Sequence, residues 1–300
     1  MAASSRLDRA MDVQVLRDFK PTKDYFIGID SDGCVFDSME IKHKECFAPM
    51  FIKHFNLQAV SKYARQVWEF VNLYSKTRGV NRFPALSRSL NLLRLRPQVI
   101  ARKVKIPDTV ALDQWTAREN KLTNSTLKTE VESGNEALEP VLRWSIAVNQ
   151  AVQDIVRGVP PFPLFPESLA RMTEKADVIV VSQTPTEALD REWAEHGIKE
   201  QVKLIAGQEL GTKTEHINLA AGGKYAPEKM LMIGDAPGDY QAARGNHALF
   251  YAISPGNEEA SWERFHKEAL ERFLAGRYAG PYETELVKEF EACLPDNPDW

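Results

Sequence analysis

The chain has 300 residues, 43% of them hydrophobic and 27% charged, with a net charge of -4 and a pI near 6.0. This composition suits a soluble globular protein of two domains, or of one domain with a large insertion, and argues against a general nucleic-acid-binding role. No apolar run approaches the ~20 residues of a membrane helix.

Residues 1 to about 20 read as a short polar helix or arm leading to Pro21, with no apolar segment of the secretory kind. Three cysteines, Cys34, Cys46 and Cys293, show no metal-type spacing, so we expect a reducing cytoplasm and a buried, unreactive Cys34. Tyr25–Ser38 begins as an apolar run (Tyr25, Phe26, Ile27, Ile29) and switches abruptly to Asp30-Ser31-Asp32-Gly33. The run suits a strand buried on both faces, and the switch marks its carboxyl end. Two carboxylates one residue apart there repel each other unless a cation or a reaction uses them. The ordinary alternative is a helix cap or turn, for which Asp and Gly are common.

From Ser38 to about 161 no convincing strand is visible. Residues 39–57 read as helix with a kink at Pro49. Val60, Tyr63, Ala64, Val67, Val71 and Tyr74 share one helical face. A polar break, Ser75–Phe83, precedes a leucine-rich helix carrying Leu86, Leu90 and Leu93. Helices are expected over about 108–120 and 135–157, the last with a stripe of Leu138, Leu142, Ser145, Asn149, Val152 and Val156. Gly158–Pro166 holds five prolines or glycines in nine residues and should stop all helix.

Thereafter strands and helices alternate: 167–176 helix, 177–185 strand and turn, 186–197 helix, 203–208 strand, 214–223 helix, 229–239 strand and loop, 239–246 helix, 247–253 strand. Such alternation implies a parallel sheet. The tail from Asn257 to Trp300 begins as amphipathic helix and is expected to pack on this core. The predicted boundaries are therefore 1–38 core, 39–161 helical insertion and 162–300 core.

Three apolar runs end in polar groups: at Asp30 and Asp32, at Ser182, and at Gly234-Asp235-Ala236-Pro237-Gly238-Asp239. In a parallel sheet the three ends face one crevice. With these motifs the chain resembles the haloacid dehalogenase superfamily, in particular its phosphoglycolate phosphatase-like, Mg-dependent members with a helical cap inserted after the first motif. Asp-Ser-Asp-Gly-Cys-Val-Phe-Asp-Ser is closely similar to that family's first motif, with Cys34 where Thr is common. The resemblance implies a Rossmann-like parallel-sheet core, an inserted all-helical cap and a bound Mg²⁺. It further implies Asp30 as nucleophile, forming an aspartyl-phosphate, and Asp32 as general acid/base.

By the same resemblance Ser182 and the backbone at Gln183 bind phosphoryl oxygens. A lysine should neutralise that group. Lys213, before a helix and after a strand, is preferred to Lys224, which follows that helix at the far edge. Mg²⁺ would be held by Asp30, the Asp32 carbonyl and Asp235, with Asp239 either ligating or orienting Lys213. Arg78 and Arg82, in the polar break, are candidate cap contacts to an anionic substrate, although a loop of solvated cations is the commoner arrangement.

The expected activity is hydrolysis of a small phosphorylated metabolite. The alternatives are a phosphomutase of the β-phosphoglucomutase kind, or a non-catalytic binding protein of the same fold. Neither a nucleic-acid nor a membrane partner is expected, and no feature of the sequence sets an oligomeric state.

Overall fold

The computed structural model describes residues 13–300, and the first part of the N-terminal arm lies outside the described residues. Residues 13–17 are helical. The chain forms two compact units. One runs to Asp37 and resumes over Gly158–Cys293; the other comprises Ser38–Arg157 and Leu294–Trp300.

The first unit is a Rossmann-like α/β domain. Its strands β1 (Tyr25–Ile29), β2 (Ala176–Val181), β3 (Leu204–Ala206), β4 (Met230–Gly234) and β5 (Leu249–Ala252) form one parallel sheet ordered β3-β2-β1-β4-β5. Each strand is a short β-branched or apolar run, as a strand covered on both faces requires. On one face Ile27, Ile29, Val178, Val180, Leu231, Ile233 and Tyr251 pack with Phe165, Trp193, Trp262 and Phe265. The other face is buried too: Phe26 meets Tyr225, and Phe250 lies between Tyr240 and Phe290. Each such large apolar side chain contributes roughly 1.5–3 kcal/mol by leaving water.

The chain leaves the sheet through a tight turn after β1. The Ser31 carbonyl accepts the N–H groups of Cys34, Val35 and Phe36 at 3.3, 2.8 and 3.1 Å. Gly33 sits at φ 76°, where a side chain would be strained. The return is pinned beside the exit, because Phe36 bridges Pro161 and Phe162 N–H donates to the Val35 carbonyl at 2.8 Å. The proline-rich stretch ends earlier than expected. Leu164 adopts φ 67°, and the helix starts at Phe165 with Pro166 in its first turn, where the missing N–H costs no bond.

The second unit is helical, as expected, around Trp68, Trp144, Phe47 and Phe51. Trp68 lies 5.6 Å from Trp144 and 5.1 Å from Phe51, centroid to centroid. Val60, Ala64, Val67 and Val71 are buried on the helix Ser61–Asn72 and the turn before it, as the periodicity predicts. Two expectations need correction. The break at Pro49 is a widened π turn over Lys42–Phe47, which absorbs the hydrogen bond that proline cannot donate. Of the expected stripe on the helix Glu139–Ile155 and its flanks, Leu138 and Ser145 are buried and Leu142, Val152 and Val156 pack partly buried on this core, while Asn149 is exposed and Val141, Trp144 and Val148 are buried beside them. Finally, Leu294–Trp300 belongs with the helical unit. Lys76 pairs with Asp296 at 2.7 Å, and the Arg96 guanidinium lies 4.3 Å from the Trp300 ring centroid. No helix among the described residues is long and apolar enough to cross a membrane.

Asp177 ties the chain before β1 to β2. Its carboxylate accepts Thr22 N–H (2.7 Å), the Thr22 hydroxyl (2.5 Å), Lys23 N–H (2.9 Å) and the Tyr225 hydroxyl (2.8 Å). Burial pushes its pKa up, but these donors outweigh burial and hold the carboxyl below its ordinary value. Asp177→Ala should therefore cost about 3 kcal/mol in urea unfolding by leaving buried donors unmatched. Because the folded pKa is depressed, the contribution is present above the unfolded value of about 3.9 and fades as pH falls below it. A variant as stable as the parent at pH 7 would contradict this assignment.

Candidate active site

Asp30 continues β1 by one residue, its N–H donating to the Ile233 carbonyl of β4 at 3.0 Å. The residue is 6% exposed. Oδ1 accepts Ser31 N–H at 2.7 Å, and Oδ2 accepts Lys213 Nζ at 2.6 Å. Lys213 is the first residue of the helix Lys213–Ala221, fixed by a capping box in which Thr212 N–H donates to Glu215 Oε2 at 2.7 Å. A cation at a helix N-terminus opposes the dipole. Here the opposition is offset by two carboxylates, since the same Nζ lies 2.6 Å from Asp239 Oδ1.

Asp239 stands in the first turn of the helix Pro237–Gly245, and its Oδ2 accepts Ala236 N–H at 3.0 Å. Gly234 makes room for it: a Cβ there would lie 2.3 Å from Asp239 Cγ. Asp235, the first residue after β4, is 1% exposed. One carboxylate oxygen from each of Asp30, Asp235 and Asp239 lies within 4.8 Å of the other two.

Burial dominates the electrostatics. It raises the Asp30 pKa, Lys213 lowers it and Asp239 raises it again, and the balance comes to about 6. Asp239 is likewise raised, first by burial. For Lys213 burial favours the neutral amine, but Asp239 and Asp30 outweigh it and hold the proton firmly. Three buried carboxyl groups and one ammonium gather at this point. This all-oxygen set fits a hard divalent cation such as Mg²⁺. It would be held by Asp30, Asp235 and Asp239.

The second predicted group lies one strand over. β1 and β2 pair Ile29 with Val180, so Ser182 follows β2 beside the Asp30 end. Ser182 is buried, its N–H donates to the Ala206 carbonyl at 2.9 Å, and its Oγ accepts Thr184 N–H at 3.3 Å. Gln183 is exposed and donates to the Gly211 carbonyl at 3.0 Å. The Thr184 hydroxyl donates to Asp32 Oδ2 at 2.7 Å, joining the β2 loop to the β1 loop. That partner went unseen in the sequence, where the only signal was a hydroxyl residue two places after the strand-end serine. Ser31 was missed as well: its hydroxyl accepts Trp193 Nε1–H at 3.0 Å and anchors the residue between the two acids.

The other predicted residues have partners of their own. Lys224 Nζ donates to the carbonyls of Arg17, Phe19 and Leu219 at 2.9, 2.9 and 3.0 Å, a helix-end role remote from the acids. Arg78 is 3% exposed and donates to the Leu73 carbonyl at 3.0 Å. Arg82 donates to Ser145 Oγ (3.1 Å) and Asn149 Oδ1 (2.6 Å) and lies 5.0 Å from the Phe47 ring centroid. Both guanidinium groups are engaged inside the helical unit. The Cys34 thiol is buried, and burial raises its pKa.

No protein-family model matches the chain, and no curated protein matches it. Solved structures do. A haloacid dehalogenase-like hydrolase from Streptococcus pneumoniae is 14% identical, covers 83% of this chain and 93% of its own, and gives a TM-score of 0.48. A predicted phosphoglycolate phosphatase from Haemophilus somnus is 16% identical over 77% of this chain and 86% of its own, with a TM-score of 0.46. A provisionally named β-phosphoglucomutase from Bacteroides vulgatus is 15% identical over 91% and 98%, with a TM-score of 0.45.

The donor set is testable without turnover. Calorimetric titration with Mg²⁺, or Mn²⁺ resonance, should show one divalent site, and Asp235→Asn should weaken it on the order of 10–100-fold. Unchanged affinity in that variant would remove Asp235 from the set.

Proposed function

We propose that this chain is a Mg²⁺-dependent phosphatase of the haloacid dehalogenase type, acting on a small phosphorylated metabolite in the cytoplasm. The observation that carries the reading is Lys213, 2.6 Å from both Asp30, which follows β1, and Asp239, in the first turn of the helix after the adjacent parallel strand β4. Strand-end acids gathered on one ammonium are costly for stability alone, because desolvating each charge costs several kcal/mol. They suit a phosphoryl group, whose negative oxygens need a cation and whose phosphorus needs a nucleophile. Three free thiols suit a reducing compartment.

In this reading Asp30 supplies the attacking carboxylate oxygen and Lys213 holds it in place while neutralising charge. Asp32 gives a proton to the leaving oxygen and afterwards takes one from the attacking water. Ser182, and the backbone at Gln183, bind phosphoryl oxygens. Asp30, Asp235, Asp239 and the Asp32 carbonyl would hold Mg²⁺, which when bound offsets charge on the transferring group. Arg78 and Arg82 are assigned to holding the helical unit together, given their partners there.

Hydrolysis of p-nitrophenyl phosphate and of a panel of metabolite phosphates should depend on Mg²⁺ and cease with chelator. Asp30→Asn should abolish it, and Asp32→Asn should lower kcat by roughly 10²–10⁴-fold. Metal-dependent turnover surviving in Asp30→Asn would refute the mechanism.

A further inference from the structure

We propose, resting on the cation set proposed above, that Trp193 is a positioning residue that acts through Ser31 on the carboxylate of Asp30. Ser31 stands between the two acids and is fully buried. Its hydroxyl accepts Trp193 Nε1–H at 3.0 Å and donates to Glu192 Oε2 at 3.4 Å. Its N–H donates to Asp30 Oδ1 at 2.7 Å. One residue thus joins a buried indole on the helix Thr186–Glu195 to the acid that follows β1.

Packing alone does not call for this pair. Trp193 sits in the apolar cluster with Phe36, Phe165, Leu189 and Ile198. There a hydroxyl and an indole N–H each cost stability until they find a partner. Bonded to each other, they bring the protein back near what two apolar groups of the same shape would give. What an apolar pair lacks is direction. The hydrogen bond fixes the rotation of the Ser31 side chain. The indole that sets it is itself held, its ring edge-on to Phe36 and to Phe165 with centroids 5.9 Å away in each case.

That direction reaches Asp30 through the backbone. The Ser31 carbonyl is committed to the N–H groups of Cys34, Val35 and Phe36, so the residue is fixed at its carbonyl, its hydroxyl and its N–H. Asp30 is in turn gripped at both oxygens, Oδ1 by the Ser31 N–H and Oδ2 by Lys213 Nζ at 2.6 Å. A carboxylate already held in one orientation binds a cation more tightly than one that must first be ordered. Outer partners that orient a ligand in this way are worth roughly 10–100-fold in affinity.

The test is calorimetric titration of the full chain with Mg²⁺, beside thermal melting, for Trp193→Phe, Ser31→Ala and the double variant. Each single change should weaken Mg²⁺ binding by ~10-fold, and the double no further than either, because both cut one connection. Stability should behave differently. Each single change strands a buried polar group that the double change removes, so the double variant should lose less in melting temperature than the two single losses added. If Trp193→Phe does not fold, Ser31→Cys takes its place, and affinity should fall in the order Ser, Cys, Ala with the strength of the acceptor. Affinity that recovers along with stability in the double variant would mean that the pair only fills the core. Losses that multiply, or single variants that bind Mg²⁺ as the parent does, would overturn the positioning role and leave the cation set standing. A parent protein that binds no Mg²⁺ would sink the cation set itself, and the positioning role with it.

Discussion

The ammonium of Lys213, shared between two buried carboxylates, is the constraint on which the rest of the α/β unit turns. Both contacts are 2.6 Å, Lys213 is mostly buried, and the partners lie 183 and 26 residues away in the chain. Taking such groups out of water costs several kcal/mol for each ion, and the cost is offset only if geometry is held closely. Holding it requires the end of β1, the start of the helix Lys213–Ala221 and the start of the helix Pro237–Gly245 to converge. A parallel sheet with β1 between β2 and β4 meets that requirement, because the strands then present their carboxyl ends on one side.

The central position of β1 also explains how a long helical insertion is tolerated directly after the two acids. The exit and return are stapled together by the Phe36–Pro161 bridge and the Phe162 to Val35 hydrogen bond. The Trp262 indole closes the same turn, donating to the Cys34 carbonyl at 2.8 Å. The turn carrying Asp32 is thus fixed by backbone and by a buried aromatic from the C-terminal half. Loop closure over so many residues adds little further entropy cost per residue, since the cost grows only logarithmically.

Much of this was legible in the sequence for a simple reason: Asp30, Ser182 and Asp235 stand where apolar runs stop, and strand ends are local signals. Lys213 could be separated from Lys224 because one precedes a helix after a strand and the other follows it. What stayed hidden depends on a tertiary partner. Trp144, absent from the expected stripe on the helix Glu139–Ile155, is buried against Trp68, a partner more than seventy residues earlier. The placement of Leu294–Trp300 rests on Lys76 and Arg96, more than two hundred residues earlier in the chain. Arg78 and Arg82 look like solvated cations in a polar stretch, yet their partners are a carbonyl at Leu73 and side chains on a distant helix. The Thr184–Asp32 bond joins two loops whose adjacency follows only once β1 and β2 are known to be neighbours.

The electrostatics of the acid cluster connect stability to function. Burial raises Asp30 to about 6, so the carboxylate is ionised at neutral pH but poorly solvated. A poorly solvated anion gains more from a bound cation than a hydrated one does, because less hydration is surrendered on binding. Gathering buried carboxylates there works against the fold and, on the function proposed above, in favour of cation binding, which acts on the native state alone and stabilises it by mass action. On the function proposed above, strand ends that are frustrated as pure structure become consistent once cation and phosphoryl group are counted among their partners. Local conflict of this kind is what distinguishes a site from a scaffold.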